Sequence, residues 1–192
     1  MSGKTTFLRT LALNSVLAQT IFTCFAESFK TPFVKLHSSV RIDDSLLDGK
    51  SYYFEEVNIM GKLIQEAEQN CQNMFMLDEV FKGTNTIERI ASAKAILSYL
   101  NRKNNVVFVT THDVELSTLL AEEYELYHFS ETMDVDGLHF DHLLKAGVLK
   151  TTNAIKTLAL SNYPHQIIEE ANNISERLLL LHKKVNEHYK YC

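Results

Sequence analysis

Two short apolar runs, each followed directly by polar side chains, constrain most strongly what this chain can fold into. Residues 74–77 are all apolar, and Asp78 and Glu79 follow them. Residues 106–109 repeat the pattern and lead, after two threonines, to His112. Runs of this length predict strands buried on both faces, as in a parallel sheet that helices cover. We therefore expect an α/β fold in which both runs end at one edge of the sheet.

Helical segments alternate with strands in the first part of the chain. Apolar residues recur at helical spacing directly after Lys4, which predicts a helix that begins there. The same spacing predicts further helices at residues 51–69, 86–101 and 114–123. Two more strand-like segments are predicted at residues 22–25 and 33–40, with Pro32 between them. This alternation requires crossover connections, and hence parallel strands.

The pattern changes after Tyr124. Residues 124–132 and 138–144 flank a turn sequence, Asp134-Val135-Asp136-Gly137, which predicts an antiparallel hairpin. The end of the chain is helical, with one helix at residues 153–160 and a longer one after Pro164. We therefore assign residues 1–150 to the main domain and residues 151–192 to a helical tail.

The last helix carries an apolar seam with heptad spacing. Its members are Ile167, Ala171, Ile174, Leu178, Leu181 and Val185. Such a seam packs either against its own domain or against a partner subunit, and the spacing alone leaves both alternatives open.

Charge and cysteine content exclude several classes of protein. The net charge of −5 argues against this domain alone being a nucleic-acid-binding surface, which would need clustered Lys and Arg. Cys24, Cys71 and Cys192 lack the spacing of a zinc site or disulfide framework, which favours a reducing cytosol. No apolar run approaches the ~18 residues of a membrane span, and no secretory leader is recognisable. We expect a cytoplasmic protein without a membrane partner.

The segment Ser2-Gly3-Lys4-Thr5-Thr6 resembles the second half of the phosphate-binding motif G-x-x-x-x-G-K-[ST]. Backbone N–H groups at such a helix start bind phosphate oxygens. Lys4 would bridge the terminal phosphates of ATP, and the Thr5 hydroxyl would be a ligand of Mg²⁺. The first glycine of the motif would fall three residues before Met1. We therefore expect this chain alone to bind ATP weakly and to turn over little or none.

The polar residues after the two buried runs fit the remaining parts of an ATP site. Asp78 could hold the metal, and Glu79 could act as the general base towards the attacking water. His112 could contact the γ-phosphate or that water. The alternative is structural, because acids often end a strand that reaches solvent and a lone histidine there is usually not a ligand.

Two further groups have a functional and a structural interpretation. Ser51 follows Gly49 and begins a helix, so it could bind an anion or serve as an ordinary N-cap. His139, Asp141 and His142 could suggest a metal site, but we favour a solvent-facing hairpin because His142 would point away from the other two.

Taken together, these motifs resemble the C-terminal ATPase domain of the MutS family of DNA mismatch-repair proteins. The matching segments are residues 1–9, 41–51, 77–86, 110–116, 147–154 and 164–171. The most specific of them is D-E-x-x-x-G-T-x-T, which begins at Asp78. The resemblance covers essentially the whole chain.

This resemblance implies a P-loop NTPase of ABC type, with a mostly parallel sheet flanked by helices, a C-terminal hairpin and a helical tail. It implies ATP and Mg²⁺ as cofactors and a homodimer with composite sites, in which Ser51 acts in trans on the partner's nucleotide. The loop 83–86 would cross the dimer interface. Nucleotide state would be coupled to a DNA clamp through N-terminal domains absent from this chain, in the nucleoid of a bacterial cytosol.

Two alternative functions stay open at this point. One is a different ABC-type DNA ATPase, such as the head of an SMC or Rad-fifty-like protein, although no root of a long coiled coil is recognisable. The other is a non-catalytic dimerisation and nucleotide-coupling module. Asn85 stands where the MutS family more often has Ser. Residues 41–44 and 151–154 are more similar to MutS-related proteins of uncertain role than to the housekeeping repair enzyme. The choice between mismatch repair and a paralogous role is therefore left open.

Overall fold

The computed structural model describes residues 3–40, 52–134, 137–149, 154–161 and 163–189. These residues form two compact units. Residues 3–128 and 146–148 make up the first unit, and the second is formed from residues 129–145 and from residues beyond 148.

A three-stranded parallel sheet organises the first unit. Its strands are β1 (Lys35–Ser39), β2 (Asn73–Asp78) and β3 (Val106–Thr110), and β2 lies in the middle. In the register of the sheet, Asp78 pairs with Thr110, so β2 and β3 end at the same level. The predicted parallel arrangement of these strands is confirmed, and it brings their carboxyl ends to one edge.

Four helices belong to the first unit. They are α1 (Lys4–Thr20), α2 (Tyr52–Ala67), α3 (Thr86–Leu100) and α4 (Val114–Leu120). Each lies where the apolar spacing predicts a helix, and α1 begins directly at Lys4. The result is a mixed α/β unit in which helices flank a small parallel sheet.

The prediction of a strand at residues 22–25 is wrong. This segment contains two bends and no strand, and Phe22 has a positive φ of 56°. The backbone N–H of Phe25 donates to the side-chain oxygen of Asn14, 2.6 Å away, instead of to a neighbouring strand. Both aromatic residues of this segment are exposed, Phe22 to 91% and Phe25 to 77%.

Alternate residues of β2 enter two separate apolar clusters, one on each face of the sheet. Met74 and Met76 pack with Leu8 of α1 on one face. Phe75 and Leu77 pack on the other face with buried side chains of α2, α3 and α4. All of these β2 side chains are buried, as the apolar run predicts.

A buried amide fixes the amino end of the sheet. The side-chain oxygen of Asn73 accepts a hydrogen bond from Nε2 of His37 at 3.0 Å, and its Nδ2 donates to Oδ1 of Asn105 at 3.0 Å. Asn73 is fully buried, and hydrogen bonding of its amide avoids the cost of burying a polar group without partners. These bonds hold β1, β2 and the chain before β3 in register.

The second unit contains most of a two-stranded sheet and two helices. Strands β4 (Tyr127–Asp134) and β5 (Gly137–Ala146) are hydrogen-bonded to each other, where the sequence predicts a hairpin. Helix α5 (Ala154–Leu160) packs on α6 (His165–Tyr189). None of the helices in the described parts of the chain is both long and apolar enough to span a membrane.

The apolar seam of α6 is half exposed where its side chains are described. Ile167, Ile174 and Leu178 each leave about half of their surface open to solvent. The side chains of Leu181 and Val185 lie outside the described residues. These three seam side chains are therefore only partly covered by the residues that the structure describes.

Candidate functional site

The carboxylate of Asp78 is the centre of a polar cluster at the carboxyl end of β2. The hydroxyl of Thr5 donates a hydrogen bond to its Oδ2 at 2.9 Å. The hydroxyl of Thr110, at the end of β3, donates to its Oδ1. The two residues that the sequence predicts as metal ligands, Thr5 and Asp78, are therefore in direct contact, and a second hydroxyl group joins them.

Gly3 allows α1 to begin beside this carboxylate. Its φ of 99° is a left-handed conformation that glycine adopts without steric cost, and its carbonyl accepts from the N–H of Phe7 at 2.8 Å. Lys4 and Thr5 are then the first helical residues. Because the first N–H groups of a helix lack intrahelical partners, this end of α1 presents donors for an anion.

Glu79 lies next to Asp78 and holds two basic side chains. Its Oε1 is 3.2 Å from Nε2 of His112, and its Oε2 is 3.1 Å from Nζ of Lys82. The N–H of Glu79 donates to the carbonyl of Thr110 at 3.1 Å, which continues the β2–β3 pairing for one more residue. Glu79 and His112, predicted from separate strands, are thus brought together.

Sequence reasoning missed Lys82. Its position three residues after Glu79 is a weak signal. An ion pair at this spacing forms only where the backbone turns between the two residues.

The loop after Glu79 is strained. Glu79 and Phe81 have φ angles of 54° and 62°, in the left-handed region that disfavours residues with a Cβ. Each such residue costs on the order of 1–3 kcal/mol, so the surrounding structure must hold it in place. The side chain of Phe81 is buried and packs near the ring of Tyr53, with ring centroids 5.9 Å apart.

A second carboxylate, that of Glu56 on α2, binds the backbone of the same loop. Its Oε1 accepts the N–H of Lys82 and its Oε2 accepts the N–H of Gly83, each at 3.2 Å. Glu56 is only 5% exposed. Sequence analysis did not single it out, because nothing in the local pattern of α2 indicates that its partner is a loop in the next part of the chain.

The segment from Gly83 to Thr86 is fixed by its own capping bonds. Asn85 caps α3 by accepting the N–H of Glu88 at 3.0 Å. The carboxylate of Glu88 in turn accepts hydrogen bonds from the side chains of Thr84 and Asn85. This reciprocal arrangement is typical of a stable helix N-terminus.

An ion pair anchors the turn that carries His112. Nε and Nη2 of Arg89 donate to the two carboxylate oxygens of Asp113 at 3.0 and 2.7 Å. The hydrogen bond to Asp113 raises the pKa of the Arg89 guanidinium. The N–H of Asp113 also donates to the hydroxyl of Thr111 at 2.9 Å. Helix α3 thereby holds the start of α4, and with it the backbone on which His112 lies.

Several predicted site residues lie elsewhere or outside the described residues. Ser2 and Ser51 are not among the described residues, and Thr6 is exposed on α1. On β5, the side chains His139, Asp141 and His142 are exposed, and the pKa of Asp141 is lowered by its hydrogen bond from Lys145. The exposure of β5 agrees with the solvent-facing hairpin that the sequence favours.

Comparison with known proteins gives one consistent family. The family model described as MutS domain V matches residues 1–179. A relative from Natronomonas pharaonis, named DNA mismatch repair protein MutS, is 29% identical over 178 residues, covering 91% of this chain and 21% of the relative. Proteins of the same name from Thermus aquaticus and Petrotoga mobilis are 27% and 31% identical, each over 93% of this chain and 22% of the relative. The chain spans about a fifth of the length of these curated relatives.

Proposed function

The chain belongs to the MutS domain V family, and from this membership we propose that it is the nucleotide-binding unit of a DNA mismatch-repair protein. In this proposal the α/β unit is a P-loop NTPase of ABC type that binds ATP with Mg²⁺ at the carboxyl edge of β2 and β3. The hydrogen bond between Thr5 and Asp78 supports it most directly, because the two side chains come from distant parts of the chain and meet at a helix start.

The donor set at this edge suits Mg²⁺. Thr5, Asp78 and Thr110 supply hydroxyl and carboxylate oxygens, which are the ligand type that Mg²⁺ prefers. When bound, the ion would neutralise charge on the phosphates of ATP. The N–H groups at the start of α1 and the ammonium of Lys4 would bind the phosphate oxygens.

Glu79 is the proposed general base. Its carboxylate would take a proton from the attacking water, and His112 would hold that carboxylate in orientation. Lys82 pairs with the second oxygen of Glu79, so its ammonium lies beside the proposed base.

We also propose that the protein acts as a homodimer. The half-exposed apolar seam of α6 offers a surface for a second copy, and Ser51 would complete the partner's ATP site. Ile174→Lys would place a charge in the seam and is expected to abolish self-association in analytical ultracentrifugation. Contact with DNA would be made by other parts of a longer protein, because this chain spans only about a fifth of its relatives and carries a net charge of −5.

Calorimetric titration with ATP in the presence of Mg²⁺ tests the nucleotide site. We expect weak binding, as the partial phosphate-binding motif predicts, and we expect Lys4→Ala and Asp78→Ala each to weaken it further by about tenfold or more, as loss of a charged contact predicts. Lys103→Ala is the matched control, because Lys103 pairs with Glu68 before β3 begins, at the other end of the sheet. No detectable binding at millimolar ATP, or equal binding by all variants, would contradict the proposal.

A further inference from the structure

Glu56 combines burial with an unusual pair of partners. It is a carboxylate with 5% exposure, and both of its oxygens accept main-chain N–H groups from one loop. Burying a carboxylate is costly unless its oxygens are hydrogen-bonded, and charge-assisted bonds of this kind are stronger than neutral ones. The position of the Lys82–Gly83 peptide is therefore tied to the second turn of α2.

The same loop touches α2 through its backbone. A Cβ on Gly83 would lie 2.9 Å from both Cβ and N of Tyr53, so only a residue without a side chain allows this approach. The start of α2 and the loop therefore pack without an intervening side chain. A shift of one of them requires a shift of the other.

The loop also leads directly to the proposed base. Lys82, whose N–H is held by Glu56, places its ammonium 3.1 Å from Glu79. Glu79 and Phe81 are both in left-handed conformations, so this stretch is kept in a strained shape by its contacts. Strain of this kind relaxes when the holding contact is removed.

We propose that Glu56 is a positioning residue that couples the pose of Glu79 to the start of α2. Its carboxylate holds the Lys82–Gly83 peptide, Lys82 holds Glu79, and the contact of Gly83 with Tyr53 transmits any movement to the helix. The consequence for ATP hydrolysis rests on the proposed function, whereas the coupling itself is a property of the chain without ligand.

Glu56→Gln is the variant of choice because it keeps the size of the side chain. A glutamine has one acceptor oxygen in place of two and carries no charge, so it cannot give each N–H group its own charged acceptor oxygen. In the ligand-free chain we expect the amide hydrogens of Lys82 and Gly83 to exchange at least about tenfold faster, as loss of a bond to a charged group predicts. Glu66→Gln is the control, since Glu66 lies on the same helix and pairs with Lys35 instead. Unchanged exchange at Lys82 and Gly83 would overturn the proposal.

A fluorescent reporter measures the coupling itself. The chain has no tryptophan, and Phe54 is an exposed residue in the first turn of α2, so Phe54→Trp reports on that turn alone. The measurement is made without nucleotide on chains that carry Phe54→Trp. Adding Glu79→Gln should change the tryptophan emission when Glu56 is native. The same addition should leave the emission unchanged when Glu56→Gln is also present. An equal response in both backgrounds would show that Glu56 carries no coupling.

The response to Mg²⁺ and ATP separates this inference from the proposed function. We expect ATP to change the reporter's emission in the Glu66→Gln control but not in Glu56→Gln, while the ATP affinities agree within about threefold, the scatter of independent sites. If ATP binds neither to the native chain nor to any of the variants, the proposed function is wrong. The amide-exchange and fluorescence measurements without nucleotide still decide the role of Glu56. A full ATP response in Glu56→Gln would refute the coupling.

Discussion

The hydroxyl of Thr5 donates a 2.9 Å hydrogen bond to Asp78, across 73 positions of the chain. This bond joins the first turn of α1 to the carboxyl end of β2, the most deeply buried strand of the sheet. The second oxygen of Asp78 accepts from Thr110. A single carboxylate therefore holds the helix start and the neighbouring strand at the edge where the nucleotide is proposed to bind.

Thr5→Val tests the metal role of this hydroxyl. Valine has nearly the same shape as threonine but offers no oxygen, so we expect the contribution of Mg²⁺ to ATP affinity to fall by about tenfold or more, a loss typical of impaired metal sites. Titration with ATP, with and without Mg²⁺, measures this contribution. Thr5→Ser retains the hydroxyl and is expected to bind as the native chain does. If Thr5→Val kept the full Mg²⁺ effect, Thr5 would not be a ligand.

Glu79→Gln tests the base. In any longer polypeptide that hydrolyses ATP through this domain, glutamine can keep the contact with His112 but cannot take a proton from water. We expect turnover to fall by ~10²-fold or more with ATP binding retained. Steady-state turnover and equilibrium ATP binding, measured on the same preparation, separate the two effects. Unchanged turnover would remove Glu79 from the role of base.

The parts of the fold that sequence predicts are those with a local cause. The apolar run of β2 and the helical spacing of α1 depend only on neighbouring residues, and both elements lie where the patterns indicate. The ends of β2 and β3 could be placed at one edge because parallel strands impose it. The strand-like segment at residues 22–25 was predicted wrongly, since strand preference depends on packing against a neighbouring strand, which a short sequence pattern does not reveal.

Sequence patterns predicted the site residues that belong to a motif or follow a buried run. They did not predict the residues that hold the loops of the site in place. Asp78, Glu79 and His112 follow buried runs, and Thr5 belongs to a phosphate-binding sequence. Glu56 reaches the site only through tertiary packing of α2, and nothing in its local sequence pattern indicates its partner. The ion pair of Arg89 with Asp113 likewise joins two helix starts that are distant in sequence.

Glu68 is one of the carboxylates through which stability is expected to depend on acid pH. Its carboxylate accepts hydrogen bonds from Lys103 and Tyr99, which lower the pKa of Glu68 below its ordinary value of 4.5. A depressed folded-state pKa stabilises the protein above the unfolded-state pKa, and this stabilisation is lost as the pH falls through the folded-state value. Lys103→Met removes the largest cause, so NMR titration should show the pKa of Glu68 moving up towards 4.5.

The corresponding stability measurement is urea unfolding between about pH 3 and pH 7. Glu68→Gln should lower the free energy of unfolding more near neutral pH than at acid pH, because the charge-dependent part of the stabilisation is lost as the native carboxylate becomes protonated. A constant difference across this pH range would show that the hydrogen bonds of Glu68 do not depend on its charge.

Gly83→Ala tests the close packing between α2 and the loop that follows Glu79. An added Cβ would lie 2.9 Å from both the backbone N and the Cβ of Tyr53, so the loop or the helix must shift. We expect the free energy of unfolding to fall by about 1–3 kcal/mol, the usual cost of overpacking.

Gly61→Ala, in the middle of α2, is the matched control because nothing lies within 4 Å of its added Cβ. There the higher helix propensity of alanine should raise stability by up to ~1 kcal/mol. Urea unfolding of both variants gives the comparison, and equal stabilities would mean that the loop does not pack on Tyr53 as tightly as the structure indicates.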